Sequence, residues 1–320
     1  MPTVVHKTTV AIVQEYSPRT PAEAGKVITE RVAEAAAAGA SLVAFPETWI
    51  PGYPAWLDVC RDVALWDHPP VKAAYARMAE GSVAVMDGPR DEVMSAFATA
   101  ARRHDLSIVA GVVERVPEGP GYGTLYNSML VFGPDGALRN HHRKLMPTFT
   151  ERMLWGQGDA DGVRAVRLGN VRVGGLICWE HWMPLARQAL HESGEDIHVA
   201  LWPGVKEMHL LASRHYAVEG RCFVLAAGSL MRAHELPDDL PPSPELVKSR
   251  DQLILRGGSA IFGPDGAMIA GPISDERALL VAELDLRQLH EERMTLDTAG
   301  HYSRPDQLEL VRHAGKRLGH

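Results

Sequence analysis

Residues 131–139 read VFGPDGALR, and residues 261–269 read IFGPDGAMI. In each, two apolar arms flank Gly-Pro-Asp-Gly: proline presets φ at one corner and glycine accepts the left-handed conformation at another. Each string is therefore a hairpin. The same hairpin met twice, each time among helical stretches, implies two packed sheets with related halves and helices outside, rather than one doubly wound sheet. Turn chemistry alone favours this string, so a chance echo stands as the alternative.

Working outward, strand-like and helix-like runs alternate. TTVAIVQ (8–14) reads as a strand and residues 22–38 as an alanine-rich helix closed by Gly39. SLVAF (41–45) is a buried strand halted by Pro46. Residues 89–103 form an amphipathic helix and SIVAGVVE (107–114) a strand. TLYNSMLVF (124–132) and ALRNHHRK (137–144) are the arms of the first hairpin. VRAVRLGNVRVGGLIC (163–178) forms another, turning at Gly169-Asn170. A helix from Pro184, the strand IHVALW (197–202), a helix over 210–221 and the strand FVLAAGS (223–229) follow. ELPDDLPPSPELVKSRD (235–251) is rich in proline and charge and reads as an exposed insertion. The expected organisation is one domain over 1–297 and a polar tail over 298–320 that extends away from the body.

Composition narrows the function classes. Net charge is −7, which supplies no basic field for a nucleic acid. No apolar run reaches the roughly 20 residues needed to span a bilayer. The stretch MPTVVHKTTVAIVQ lacks the apolar centre of a signal peptide, and a cytoplasmic location is expected. Cys60, Cys178 and Cys222 are odd in number and widely spaced, which argues against disulfides and zinc knuckles.

Three strand ends carry reactive groups. Cys178 follows VGGLI and precedes WEHWMPL, and Pro184 suits a first helical turn, so the thiol occupies a strand-to-helix corner. Buried cysteine is more often a small hydrophobe; the bulky, polar neighbours are what point to a nucleophile. Glu47 follows SLVAFP and precedes WIPGYPAW. Glutamate there commonly faces solvent, but enclosure by Trp49, Tyr53 and Trp56 would raise its pKa toward a useful base. Lys144 ends RNHHRK and is followed by LMPTFTERMLWGQGD, with Glu151 and Trp155. Strand-end lysines are usually solvated; this one is followed by what reads as a pocket wall. His141 and His142 are adjacent on a strand, point to opposite faces and are unsuited to sharing a metal. Thiol, carboxylate and ammonium together supply nucleophile, proton carrier and electrostatic stabiliser.

At these residues the chain resembles the true nitrilase branch of the carbon–nitrogen hydrolases. The matching blocks are FPETWIPGYPAW (45–56), HHRKLMPTFTERMLWGQGD (141–159) and GGLICWEHWMPLARQAL (174–190), supported by IHVALWPG (197–204). The resemblance implies an α-β-β-α sandwich and hydrolysis of an organic nitrile to a carboxylic acid and ammonia, with no cofactor. It makes Cys178 the nucleophile, Glu47 the general base and Lys144 the cation beside the tetrahedral intermediate. Glu151 matches the second glutamate, which supports Lys144 and positions substrate or water. Many nitrilases have asparagine where this chain has His181, so the substrate class stays open. The resemblance also implies self-association through the helix after the nucleophile, as a homodimer or a higher homo-oligomer, spirals included.

Substrate-wall candidates are Tyr53, Trp179, His181, Trp182 and Trp202, although tryptophans pack first and bind second. Competing readings are an amidase or carbamoylase of the same superfamily, hydration stopping at the amide, a papain-like pair of Cys178 with His181, and a non-catalytic binding protein on this fold.

Overall fold

Alternation along the first strand sets up the layers. β1 (Lys7–Gln14) turns Val10 and Ile12 into one core and Ala11 and Val13 into another, as side chains on a pleated strand must. The computed structural model describes residues 6–313. The first sheet also contains β2 (Leu42–Ala44), β3 (Ser107–Arg115), β4 (Leu125–Phe132), β5 (Leu138–Arg143) and β13 (Ala278–Asp285), in the order β13-β1-β2-β3-β4-β5. β1, β2 and β3 run parallel, and β4 and β5 follow antiparallel.

The second sheet repeats this plan. Its strands are β6 (Val166–Leu168), β7 (Val171–Ile177), β8 (Ile197–Leu201), β9 (Phe223–Ala227), β10 (Leu230–Arg232), β11 (Leu253–Phe262) and β12 (Met268–Ser274). β7, β8 and β9 are parallel, and β11 and β12 follow antiparallel. The echoed strings occupy matching places: one joins β4 to β5, the other β11 to β12. Gly136 and Gly266 take φ of 78° and 80°. Asp135 and Asp265 each accept from the backbone N–H two residues on.

The inner faces meet in one core that joins Ile12, Val109 and Met129 to Leu176, Val199 and Leu225. Outside the first sheet lie α1 (Pro21–Ala37) and α4 (Glu92–His104), which contribute Ile28, Val32 and Phe97 to a second core. α5 (Pro184–Ser193) and α6 (Glu207–Gly220) supply Leu190, Ala212 and Tyr216 to the first core. The fold is an α-β-β-α sandwich.

Several boundaries differ from the sequence reading. α4 begins at Glu92 because the Asp91 side chain accepts from the N–H of Val93 and Met94 and caps the helix there. α6 starts earlier than expected and ends as Arg221 enters the left-handed region. α2 (Trp56–Val59), α3 (Pro69–Gly81) and α7 (Arg287–Arg293) had no assignment. The 235–251 loop is exposed along most of its length but tethered: Leu236 and Leu240 are buried beside Trp56 and Cys60. The polar tail does not simply leave the body. Arg312 donates to the carbonyls of Val163 and Ala189, and Leu310 packs on the inner core. Residues 314–320 of that tail lie outside the described residues.

Candidate active site

Glu47 lies just beyond β2. Phe45 still pairs with Val109 (2.8 Å), and Pro46 then turns the chain across β3. Gly111 makes room for this crossing, since a Cβ there would sit 2.2 Å from the Pro46 carbonyl oxygen and 2.7 Å from Glu47 Cα. Glu47 is thereby carried into the interior, fully buried. Its Oε1 accepts from Asn127 Nδ2 at 2.6 Å and from Lys144 Nζ at 3.0 Å. Its Oε2 has no hydrogen-bond partner among the described residues.

Lys144 continues β5, its N–H held by the Asn127 carbonyl at 2.8 Å. Nζ also donates to Glu151 Oε2 at 2.7 Å. Glu151 sits in a 3₁₀ turn (Phe149–Met153). It accepts from the Thr148 N–H at 2.7 Å and the Tyr53 hydroxyl at 3.2 Å. The ammonium therefore bridges two buried carboxylates.

Cys178 follows β7 directly and has φ of 52°. Left-handed backbone at a side chain with Cβ costs roughly 1–2 kcal/mol, so the corner must be held from outside. Glu180 does much of this. One carboxylate oxygen accepts from the Ile177 N–H at 2.7 Å, the other from the Leu145 N–H at 2.6 Å, and His142 Nε2 lies 3.0 Å away. This side chain ties the residue before the thiol to the residue after the lysine, across the two sheets.

The electrostatics are those of a resting acid–base pair. Burial pushes Glu47 up to about 7 even though Lys144 adjoins it. Burial, and then the Glu47 carboxylate, push the Cys178 thiol well above its usual value, while Lys144 and the Trp179 N–H pull it back. Burial works against the Lys144 ammonium, but Glu47, Cys178 and Glu151 outweigh it and keep the lysine charged. Burial leaves the proton on sulfur at rest, with a carboxylate nearby that can receive it and a fixed ammonium beside both.

The structure brings Glu47, Lys144, Glu151 and Cys178 together, with Tyr53 on Glu151. It corrects two of the wall candidates. Trp202 is fully buried, its indole stacked against His181 (4.6 Å) on one side and His209 (4.4 Å) on another, with Nε1 donating to Ser213. No face is left for a ligand. His181 is also buried, with Nδ1 on the Cys178 carbonyl (2.7 Å) and Nε2 on His198 Nε2 (2.9 Å). It therefore bonds the backbone of Cys178 rather than its sulfur, and the papain-like pair is excluded. Trp179 and Trp182 are exposed, at 53% and 38%. His141 and His142 do address different carboxylates, Glu114 and Glu180.

Asn127 and Glu180 had not been singled out. Asn127 was detectable as an amide in the otherwise apolar run of β4, whereas the cross-sheet reach of Glu180 depends on tertiary structure. A groove of about 490 Å³ runs past Tyr53 and Trp56 and is walled by α3 and by Leu236. A larger, charged cavity of about 570 Å³, lined by Glu15, Arg31 and Arg232, includes none of these residues.

Solved structures share this architecture. A carbon–nitrogen hydrolase from Helicobacter pylori superposes with a TM-score of 0.68 at 18% identity, covering 91% of this chain and 93% of that one. An amidase from Nesterenkonia sp. gives 0.60 at 19% identity, covering 91% and 94%. At that identity the likeness defines the fold class alone. The sequence supplies the rest: residues 9–293 match the carbon–nitrogen hydrolase family, and the chain belongs to it as a hydrolase acting on carbon–nitrogen bonds. Its relatives place it on the nitrilase branch. A nitrilase from Paraburkholderia phymatum is 39% identical over 87% of this chain and 78% of that protein. A bifunctional nitrilase/nitrile hydratase from Lupinus angustifolius is 37% identical over 88% and 78%. An aliphatic nitrilase from Sinorhizobium fredii is 35% identical over 88% and 87%.

Proposed function

We propose that the chain hydrolyses an organic nitrile to a carboxylic acid and ammonia, with Cys178 as nucleophile. The observation that carries this reading is one ammonium, Lys144, held between two buried carboxylates whose charges also reach the Cys178 thiol. Glu47 accepts the thiol proton as sulfur adds to the nitrile carbon and passes it to the nitrogen, which gives a thioimidate and frees the carboxylate again. Water, deprotonated by Glu47, adds to that carbon, and the tetrahedral intermediate expels ammonia to leave a thioester. A second water, activated in the same way, releases the acid and restores the thiol. Lys144 and the Trp179 N–H face the charge that develops on nitrogen or oxygen. Glu151 holds Lys144 in place and accepts from Tyr53, which lines the groove. Tyr53, Trp179 and Trp182 are the wall candidates retained.

The name of the Lupinus relative includes nitrile hydration, so a share of product leaving as the amide is the second outcome to measure. The decisive experiment offers matched aliphatic, aromatic and arylacetonitrile substrates alongside their amides, follows acid, amide and ammonia, and weighs the intact protein during turnover. An adduct on Cys178 with nitriles and turnover of nitriles over amides is expected; turnover of amides alone ends the proposal. Self-association through α5 belongs to the same reading, and Leu185 is exposed there. A stable monomer in light scattering would remove that part. No helix among the described residues is long and apolar enough to cross a membrane; a cytoplasmic location is a separate proposal, to be checked by fractionation.

A further inference from the structure

Behind the nucleophile lies a buried polar chain that the proposed reaction does not use. The Cys178 carbonyl meets His181 Nδ1 at 2.7 Å, His181 Nε2 meets His198 Nε2 at 2.9 Å, and His198 Nδ1 meets Glu195 Oε2 at 2.9 Å. Tyr216 donates its hydroxyl to the other Glu195 oxygen. All five residues are buried. β7 is shaped around the chain's end, since a Cβ on Gly174 would lie 2.3 Å from Glu195 Oε2.

Proton counting constrains this chain. A carbonyl only accepts, so His181 Nδ1 carries a proton. A carboxylate only accepts, so His198 Nδ1 carries another. The two Nε2 atoms face each other at hydrogen-bond distance, and bare lone pairs there would repel, so a third proton lies between them. Two neutral imidazoles hold two ring protons in all; this pair holds three. We propose that His181 and His198 share one buried positive charge, neutralised by Glu195, and that through this pair His181 acts as the positioning residue for the Cys178–Trp179 peptide.

Geometry favours placing that charge on His198, which touches the Glu195 carboxylate. Its surroundings agree: against burial, Glu195 is held down at about 2 by His198 first and also by His191, whose Nδ1 lies 3.6 Å from the Oε1 that Tyr216 bonds. The other groups facing the chain are Arg187, which donates to the His181 carbonyl, Glu219, which receives Arg187 and His191, and His209 across the Trp202 ring. Arg187 and Glu219 pair with each other (2.6 Å), which leaves Glu195 as the counter-charge in direct contact with the pair.

The consequence for the reaction follows from the planarity of the peptide bond. The Cys178 carbonyl and the Trp179 N–H belong to one rigid plane and point in opposite directions. Drawing the carbonyl into the core toward His181 aims the N–H outward at the sulfur, where the oxyanion or nitrogen anion forms. It also fixes ψ at Cys178, the rotation that orients this peptide plane.

This inference rests on Cys178 being the nucleophile, and the test separates the two. ¹⁵N spectra of histidine-labelled protein at about pH 7 are expected to show three protonated nitrogens across His181 and His198, with both nitrogens of one ring protonated. His181→Leu removes the donor, and kcat should fall on the order of 10²-fold, as for a lost oxyanion donor, with KM within about twofold and iodoacetamide alkylation of Cys178 slowed. His181→Asn keeps an N–H for the carbonyl and should restore kcat to within about fivefold of the parent. Only two ring protons on the pair, or a folded His181→Leu enzyme with parental kcat and alkylation rate, overturns the inference. Should His181→Leu not fold, the parent spectrum and the His181→Asn kinetics decide it. A Cys178→Ala enzyme that retains turnover would instead remove the nucleophile assignment.

Discussion

Two buried carboxylates, Glu47 and Glu114, receive cations from consecutive residues of one strand and have opposite fates. Arg143 and Lys144 point to opposite faces at the end of β5. Arg143 meets Glu114 through Nε at 3.0 Å and Nη2 at 2.5 Å. Glu114 also accepts from Ser128 Oγ at 2.6 Å and His141 at 2.7 Å. Burial alone would raise its pKa, but His141 and Arg143 more than reverse this and hold it well below the carboxylate range. Glu47 receives Lys144 and Asn127 on one oxygen only, and burial prevails. Saturating a buried anion makes a strut, whereas leaving one oxygen without a partner leaves Glu47 suited to the role of base proposed for it.

That contrast can be broken experimentally. Cys178→Ala, which removes the group Glu47 serves, should reduce turnover by at least ~10³-fold without changing the unfolding transition. Glu47→Gln should cost ~10²–10⁴-fold in kcat, the range of a lost general base, and little stability, because it replaces a burdened carboxylate with a neutral amide. Glu114→Gln is expected to do the reverse: about 3–5 kcal/mol of unfolding free energy lost, as when a buried ion pair is broken, with activity per folded molecule nearly unchanged. Denaturant titration alongside active-site counting of both variants checks the pair; exchanged phenotypes would mean that donor count does not separate the roles.

The two carboxylates should also answer pH in opposite directions. Glu47, raised from 4.5 to about 7 in the folded protein, takes up its proton more readily folded than unfolded. Its contribution to stability is present below 4.5 and lost as pH rises toward 7, the window in which its catalytic form appears. The acid limb of kcat/KM should therefore lie near 7. Glu114, lowered from 4.5, contributes stability above that value which is lost on acidification. Stability curves of Glu47→Gln and Glu114→Gln against pH, each compared with the parent, should differ with opposite slopes. The smallest effect is expected from Tyr53→Phe, which deletes a 3.2 Å hydrogen bond to Glu151. A loss of about 1 kcal/mol, close to fivefold in kcat/KM, would fit one ordinary hydrogen bond.

Much of this was legible in the sequence because it rests on local chemistry. The paired Gly-Pro-Asp-Gly turns do sit in matching hairpins of separate sheets, and strand ends do deliver Glu47, Lys144 and Cys178. What stayed hidden depends on partners distant along the chain. Glu114, on β3, and Glu47, just beyond β2, are both buried glutamates, and only the number of donors folded around each tells them apart. Trp202 and His181 looked like walls because aromatic residues beside a nucleophile can be either lining or scaffold. Their stacking on His209 and bonding to His198 settle which. α3 was missed because residues 69–81 open with two prolines and bury only Ala74 and Met78, a thin apolar stripe to recognise.

The Glu180 carboxylate that clasps Leu145 and Ile177 has an evolutionary corollary. The proposed base and lysine belong to one half of a repeated plan, the proposed nucleophile to the other, and this clasp makes the seam between the halves part of the proposed catalytic site. The exposed part of the 235–251 loop beyond Leu240 can lengthen or change at little cost to reactivity, whereas a swollen residue between the layers would detune chemistry long before it melted the protein.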